Sequence, residues 1–197
     1  MARKLDEKKR LRILHAARDA FGAEGFQKTT IKGIANSTGL AQGTIYTYFK
    51  SKENLFDEVV AEIWDTFDRG MKRISVESTS IVEKVTGFLN FSFSLLVQVH
   101  PLLRGMYNEA IRRELHGNRI EVICGYIEEL FVAPDGSPAL YRDRSSETRH
   151  FNLNIMVSGI LFRISLIKPE KLSEEIENLK SSLLKAIAED VLPGMTG

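Results

Sequence analysis

The sequence predicts an all-α protein, and three observations carry that reading. No run sustains the apolar-polar alternation of a half-buried strand. Proline and glycine cut the chain into segments of helical length. Inside those segments apolar residues recur three and four positions apart. The 197 residues suffice for one ordinary domain or for a small head joined to a larger body. Hydrophobic residues at 43% and charged ones at 27% describe a globular chain rather than a disordered one. The single cysteine, Cys124, excludes an intramolecular disulfide and a multi-cysteine zinc site. It reads as a small buried apolar residue, and the cysteine usage suits a reducing cytosol, so a cytoplasmic location is expected.

Taken in order, a first helix is expected from Asp6 to Ala23, with Leu11, Leu14, Ala17 and Phe21 inward, ended by glycine. Thr30 is a good N-cap for a short second helix whose inner side is Ile31, Ile34 and Ala35, and Gly39 ends it. A third helix begins almost at once at Leu40-Ala41, giving helix, tight glycine turn, helix. Ser51 caps a fourth, with the stripe Leu55, Phe56, Val59, Ile63, Phe67 and Met71 running to about Ile74. An apolar fifth helix from Ser78 is expected to stop at His100-Pro101, with Pro101 opening a sixth that reaches His116. A seventh covers Arg119 to Val132, followed by the long loop APDGSPALYRDRSS. Residues 146 to 167 are apolar on nearly every side, and the final helix, 170 to 191, carries one stripe through Leu172, Ile176, Leu179, Leu183, Ile187 and Val191. That makes about nine helices. Such a closing pair can also join a second copy.

The net charge of +1 averages two unlike parts. Residues 1 to 53 hold 11 Lys or Arg against 5 Asp or Glu, and residues 54 to 197 hold 16 against 21. A basic amino-terminal quarter on an acidic body is the charge pattern of a nucleic-acid-binding module joined to something else. The start, MARKLDEKKR, has charges where a signal peptide needs an apolar region, and the most apolar segment, FNLNIMVSGILFRISLI, is too short and too polar to span a bilayer. No membrane association is expected.

One stretch of that basic part, TGLAQGTIYTYFKSKENLF at residues 38 to 56, is two-faced. Ile45 and Phe49 mark a buried stripe. The opposite side holds Gln42, Gly43, Thr44, Tyr46, Thr47 and Tyr48, which form hydrogen bonds but carry no charge, whereas a merely solvated helix shows Glu and Lys. From Thr30 to Phe56 the chain resembles the helix-turn-helix signature of the TetR family of bacterial transcriptional regulators. The resemblance rests on TTIKGIA, Gly39, GTIYTYF and KSKENLF, and covers about the first quarter of the chain.

That resemblance implies a DNA-binding head over residues 1–53 and a helical effector-binding and dimerisation domain over 54–197. It implies a homodimer through the two C-terminal helices, reading double-stranded DNA at a palindromic operator, with repression relieved by a small, mostly apolar effector. Gln42 at the helix start can pair with adenine, Gly43 lets the backbone approach, and Thr44 and Tyr46 reach base edges or a thymine methyl. By similarity to the family, Thr47, Tyr48 and Lys52 grip phosphates, with Thr30 and Lys32 doing the same or reaching a base. Two features depart from the pattern. Ala41 stands where a capping residue is common, at a cost on the order of 1 kcal/mol. No Arg or Lys precedes Lys50 in the recognition helix, which removes the commonest guanine contact and points to an A/T-leaning operator core. Arg3 and Lys4 form a candidate flexible arm.

For the effector, the candidate lining is Phe88, Phe91, Phe131 and Phe151, with His100, Arg104 and Tyr107 to orient a polar group; Asn90 and Asn154 are further polar candidates. An aromatic stripe at helical spacing serves a plain core equally well. No cofactor or metal is expected. His15, His100, His116 and His150 are far apart with no H-E-x-x-H, nucleophile elbow or phosphate loop, so no enzyme is expected. A helical binding or adaptor protein without specific DNA binding is the competing reading.

Overall fold

The structure is a computed structural model that describes residues 6–105, 109–132, 136, 140 and 144–191. Among these residues it contains eight α-helices and one 3-10 turn: α1 Glu7–Glu24, α2 Ile31–Thr38, α3 Gln42–Tyr48, α4 Lys52–Glu77, α5 Ile81–Gly105, α6 Glu109–Leu130, α7 Ser146–Leu166, the turn Pro169–Lys171, and α8 Leu172–Val191. The all-α expectation stands, with one helix fewer than expected.

The caps explain most boundaries. Asp6 opens α1 by accepting from the Lys9 amide, and Gly25 closes it at φ 78°, where a side chain would be strained. Thr30 caps α2 through Gly33, and Gly39 ends it in the left-handed region at φ 62°. The Ser51 hydroxyl accepts from the Asn54 amide at the start of α4. Ser80 and Glu83 form a reciprocal capping box on α5: Ser80 Oγ accepts from Glu83 N at 3.2 Å and Glu83 Oε2 from Ser80 N at 3.2 Å. Ser145 caps α7 by accepting from the Thr148 amide.

The expected break at His100-Pro101 does not occur. Pro101 lies inside α5, which continues to Gly105, and the sixth and seventh expected helices are replaced by the single α6. Proline removes one hydrogen bond and crowds the carbonyl four residues back, a local cost that the packing around Pro101 offsets. The packing is visible at Gly22 of α1, where a Cβ would sit 2.8 Å from Pro101 Cβ and 3.2 Å from Leu102 N.

Contacts divide the chain into two compact units, Met1–Phe67 with Val99–Tyr107, and Asp68–Gln98 with Asn108–Gly197. The first unit, the head, is built on Ile13, Leu14, Ala17, Phe21, Ile34, Ile45, Phe49, Leu55, Phe56 and Val59, all buried. Phe21 stacks on Phe26 and both meet Phe56 edge to face, with centroids 5.1 to 5.7 Å apart. The second unit, the body, closes over Met71, Ile74, Val85, Phe88, Leu89, Phe93, Cys124, Ile127, Leu130 and Phe131. Burial pushes the Cys124 thiol up to about 11, so it stays neutral at physiological pH. Residues Ile81–Leu103 are long and apolar enough by composition to cross a membrane, but Val85, Phe88, Leu89, Phe93, Val99 and Leu102 are core residues of the two units.

Because Pro101 meets Gly22 through rigid ring and backbone atoms, Gly22→Ala must displace one segment. It is expected to destabilise the head by about 1–3 kcal/mol despite alanine's better helix propensity, read as a lower urea midpoint. An unchanged or raised midpoint would show that the contact yields freely.

Candidate nucleic-acid interface and effector cavity

The third helix has only seven residues and no side-chain cap at Ala41. Its back is held by Ile45, at 0% exposure, and by Phe49, which sits one residue past the helix in extended conformation yet is equally buried. Its front is open. Gln42, Gly43, Tyr46 and Thr47 are exposed, while Thr44 and Tyr48 are half-buried. Tyr46 is 52% exposed, high for a tyrosine. Nothing lies within 4 Å of where a Gly43 Cβ would be, so the protein's own packing does not demand glycine there. Lys28, Lys32 and Lys50, close to α3 in sequence, are exposed, so positive positions are present on the same head.

Hydrogen-bond donors decide what each side chain can offer a phosphate, because phosphate oxygens only accept. The Thr30 hydroxyl accepts from the Gly33 amide at 3.1 Å and the Tyr48 hydroxyl accepts from the Asp6 amide at 3.2 Å; each keeps its own proton to donate. Lys32 is exposed, and among the described residues no hydrogen bond or ion pair occupies its ammonium. Two expected phosphate contacts are differently engaged. Thr47 Oγ1 donates to the Gly43 carbonyl at 2.9 Å, leaving only lone pairs. Lys52 Nζ donates to the carbonyls of Phe26 at 2.9 Å, Thr29 at 3.2 Å and Gln27 at 3.5 Å, and lies 4.5 Å from the Phe26 ring centroid. Both carry internal bonds where the sequence reading placed phosphate bonds.

Sequence reading also missed two fasteners. Arg12 of α1 donates to the Thr38 carbonyl at 2.8 Å, satisfying the carboxyl end of α2, and Arg10 pairs with Glu58 of α4 and with Glu7. Nothing in their spacing distinguishes these arginines from solvated ones. The Arg3 and Lys4 arm lies outside the described residues.

A short, polar-faced helix following a left-handed glycine turn, with its back buried and basic residues close to it in sequence, is a helix-turn-helix head. Residues 13–59 match the family described as bacterial regulatory proteins, tetR family, so this head is similar to the heads of that family. The transcriptional repressor KstR2 of Mycolicibacterium smegmatis is 33% identical over 100 residues, 51% of this chain and 49% of that protein. The fatty acid metabolism regulator protein of Bacillus subtilis is 29% identical over 124 residues, 62% and 64% of the two chains. The chain thus spans about half to two thirds of the length of these relatives. Among solved structures, the transcriptional regulator FadR of Bacillus subtilis in complex with stearoyl-CoA superposes with a TM-score of 0.65 at 20% identity, covering 90% of this chain and 96% of that one. FadR of Bacillus halodurans gives 0.65 at 21%, covering 98% and 99%. At such identity the superpositions establish the fold.

In the body, the expected effector residues do not converge. Phe88 and Phe131 meet edge to face at 5.5 Å, and Phe91 packs so closely on Gly70 that a Cβ there would overlap its ring. These are core contacts. Phe151 is 62% exposed and faces no interior, and His100, 1% exposed, belongs to the head unit. Tyr107 and the Arg104 side chain lie outside the described residues. A cavity of about 190 Å³ instead opens between the end of α6 and the start of α7, lined by Ile127, Glu128, Phe131, Leu140, Ser146, Arg149 and Leu153. Of the expected residues that are described, only Phe131 lines it.

Beside the cavity, His150 of α7 bridges two carboxylates of α6: Nδ1 lies 3.3 Å from Glu128 Oε1, and Nε2 bonds Glu121 Oε2. Asn154 Nδ2 donates to Glu121 Oε1 at 2.8 Å. The exposed apolar residues of α7, Phe151, Ile155, Phe162 and Leu166, fall at helical spacing on one face, with Gly159 among them. A contiguous apolar face of this kind marks an interaction surface.

The bond to Glu121, helped by its charge and by Glu128, raises the His150 pKa above its ordinary 6.5 and outweighs burial, which lowers it. The cation is therefore favoured in the folded state. Its stabilisation is complete below pH 6.5 and fades as pH rises through the raised value. Melting temperatures of the wild type and His150→Gln are expected to converge as pH climbs from about 6 to 9. A gap constant across that range would show that the bridge carries no charge.

Proposed function

We propose that this chain is a sequence-specific, double-stranded DNA-binding transcriptional regulator, a repressor released from its operator by a small, mostly apolar effector. The observation that carries the reading is the front of α3: six uncharged positions, four exposed and two half-buried, on a helix whose back at Ile45 and Phe49 is buried. Gln42, Gly43, Thr44 and Tyr46 meet base edges in the major groove, while Thr30, Lys32 and Tyr48, which keep a donor each, hold phosphates. The missing guanidinium on α3 favours an A/T-leaning core. Two heads read half-sites one helical turn apart, about 34 to 36 Å. The α7 stripe, with α8, supplies the homodimer contact that presents them together. The cavity at the end of α6 is the candidate effector site. Its volume is below the roughly 300–1,000 Å³ of drug-sized sites, which favours a small ligand. Head and body share α4, so an effector that prefers one placement of this helix shifts the population competent for DNA. The KstR2 relative is a repressor by name, which supports repression, and the FadR structure holds stearoyl-CoA, which supports a ligand with an apolar part.

Selection from random duplex DNA is expected to return a palindrome with an A/T-leaning core. Gln42→Ala is expected to cost about 10- to 100-fold at one base position, leaving the salt slope as it was. Weak, sequence-indifferent binding by the wild type would favour the adaptor reading. For the assembly, Ile155→Glu combined with Phe162→Glu buries charge in the stripe and is expected to yield folded monomers by sedimentation. A dimer that survives both changes places the interface elsewhere.

A further inference from the structure

We infer that Gly159 is the crossing point of the homodimer: a second copy of this chain lays its α7 antiparallel across the first, with Gly159 on the two-fold axis against its own counterpart. The inference deepens the homodimer reading and rests on it.

The outer face of α7 is self-complementary about this residue. Phe151, Ile155, Gly159, Phe162 and Leu166 are all exposed and, at 3.6 residues per turn, fall within an arc of about 80°. Counted from Gly159, the apolar side chains stand eight and four positions before it and three and seven positions after it. A two-fold contact uses the same patch on both subunits, so in antiparallel helices a residue before the axis meets one after it. Ile155 then faces Phe162, and Phe151 faces Leu166, in both halves of the contact. A partner of another sequence would not require that balance. The occupant of the face is therefore a second copy.

At mid-length the face is low enough for two backbones to approach. Gly159 has no side chain and its neighbour Ser158 is small; the Ser158 hydroxyl donates to Asn154 Oδ1 at 3.4 Å on its own helix. Among the described residues nothing lies within 4 Å of where a Gly159 Cβ would be, and glycine is a poorer helix former than alanine. Packing within one chain gives no reason for glycine here. Close approach by another backbone does. The one charged residue beside the crossing, Arg163, donates through Nη2 to Glu175 Oε2 of α8 at 2.8 Å, which occupies its guanidinium within its own chain.

The test uses the full chain with introduced cysteines; the native Cys124 is fully buried and stays in place. Only a residue on the axis meets its own copy. After air oxidation with copper phenanthroline, Gly159→Cys is expected to run as a linked dimer on a non-reducing gel, while Phe151→Cys and Leu166→Cys stay unlinked singly and link when combined in one chain. Val76→Cys, 85% exposed on α4, measures chance collision. Absence of a linked Gly159→Cys dimer, or linking no stronger than that of Val76→Cys, Phe151→Cys or Leu166→Cys alone, overturns the crossing point. Gly159→Leu improves helix propensity, so each chain stays folded, and is expected to raise the dimer dissociation constant by about tenfold or more in sedimentation equilibrium. An unchanged constant overturns the inference as well. A wild type that sediments as a monomer removes the homodimer reading itself, whereas a wild-type dimer without the Gly159→Cys link removes only the crossing point.

Discussion

Seven residues of helix do not hold together alone in water, where isolated helices shorter than about 12 to 15 residues are marginal. The third helix exists because Ile45 and Phe49 are buried in the core of the head. That anchorage is the constraint from which the head follows. It fixes which side of α3 faces inward, and the remaining positions, Gln42, Gly43, Thr44, Tyr46, Thr47 and Tyr48, are sorted by geometry onto the other side. The helix lacks even a capping hydroxyl at Ala41, so its stability is tertiary.

Around that anchor the polar groups divide into those that complete the fold and those that remain available. Arg12 closes the carboxyl end of α2, Thr47 returns a bond to its own helix, and Lys52 is spent inside. Thr30 and Tyr48 accept from backbone amides and retain their protons. Residue type does not separate these roles. The difference lies in which partner atom happens to lie within 3 Å, and in whether the hydroxyl gives or receives there.

The body follows a different logic. Its aromatic residues close on one another, Phe88 on Phe131 and Phe91 on Gly70, and a small cavity lies at the junction of α6 and α7. The His150 bridge to Glu121 and Glu128 joins the same two helices beside that space. What the body leaves uncovered is the outer face of α7, where Phe151 sits among exposed apolar residues, not beside a ligand.

Local physics determined much from the sequence alone. Glycines that tolerate positive φ at 25 and 39, hydroxyls that cap at Thr30 and Ser51, and the three-four spacing of apolar residues placed most helices within two or three residues of where they lie. Those signals act between neighbours in the chain, so they can be read without the fold. Tertiary structure alone decided the rest: that α5 runs through Pro101 because the head packs Gly22 against it, that Lys52 turns inward, and that Phe151 points outward. Each of these depends on a partner distant in sequence, and no local preference records which distant atoms a side chain will meet.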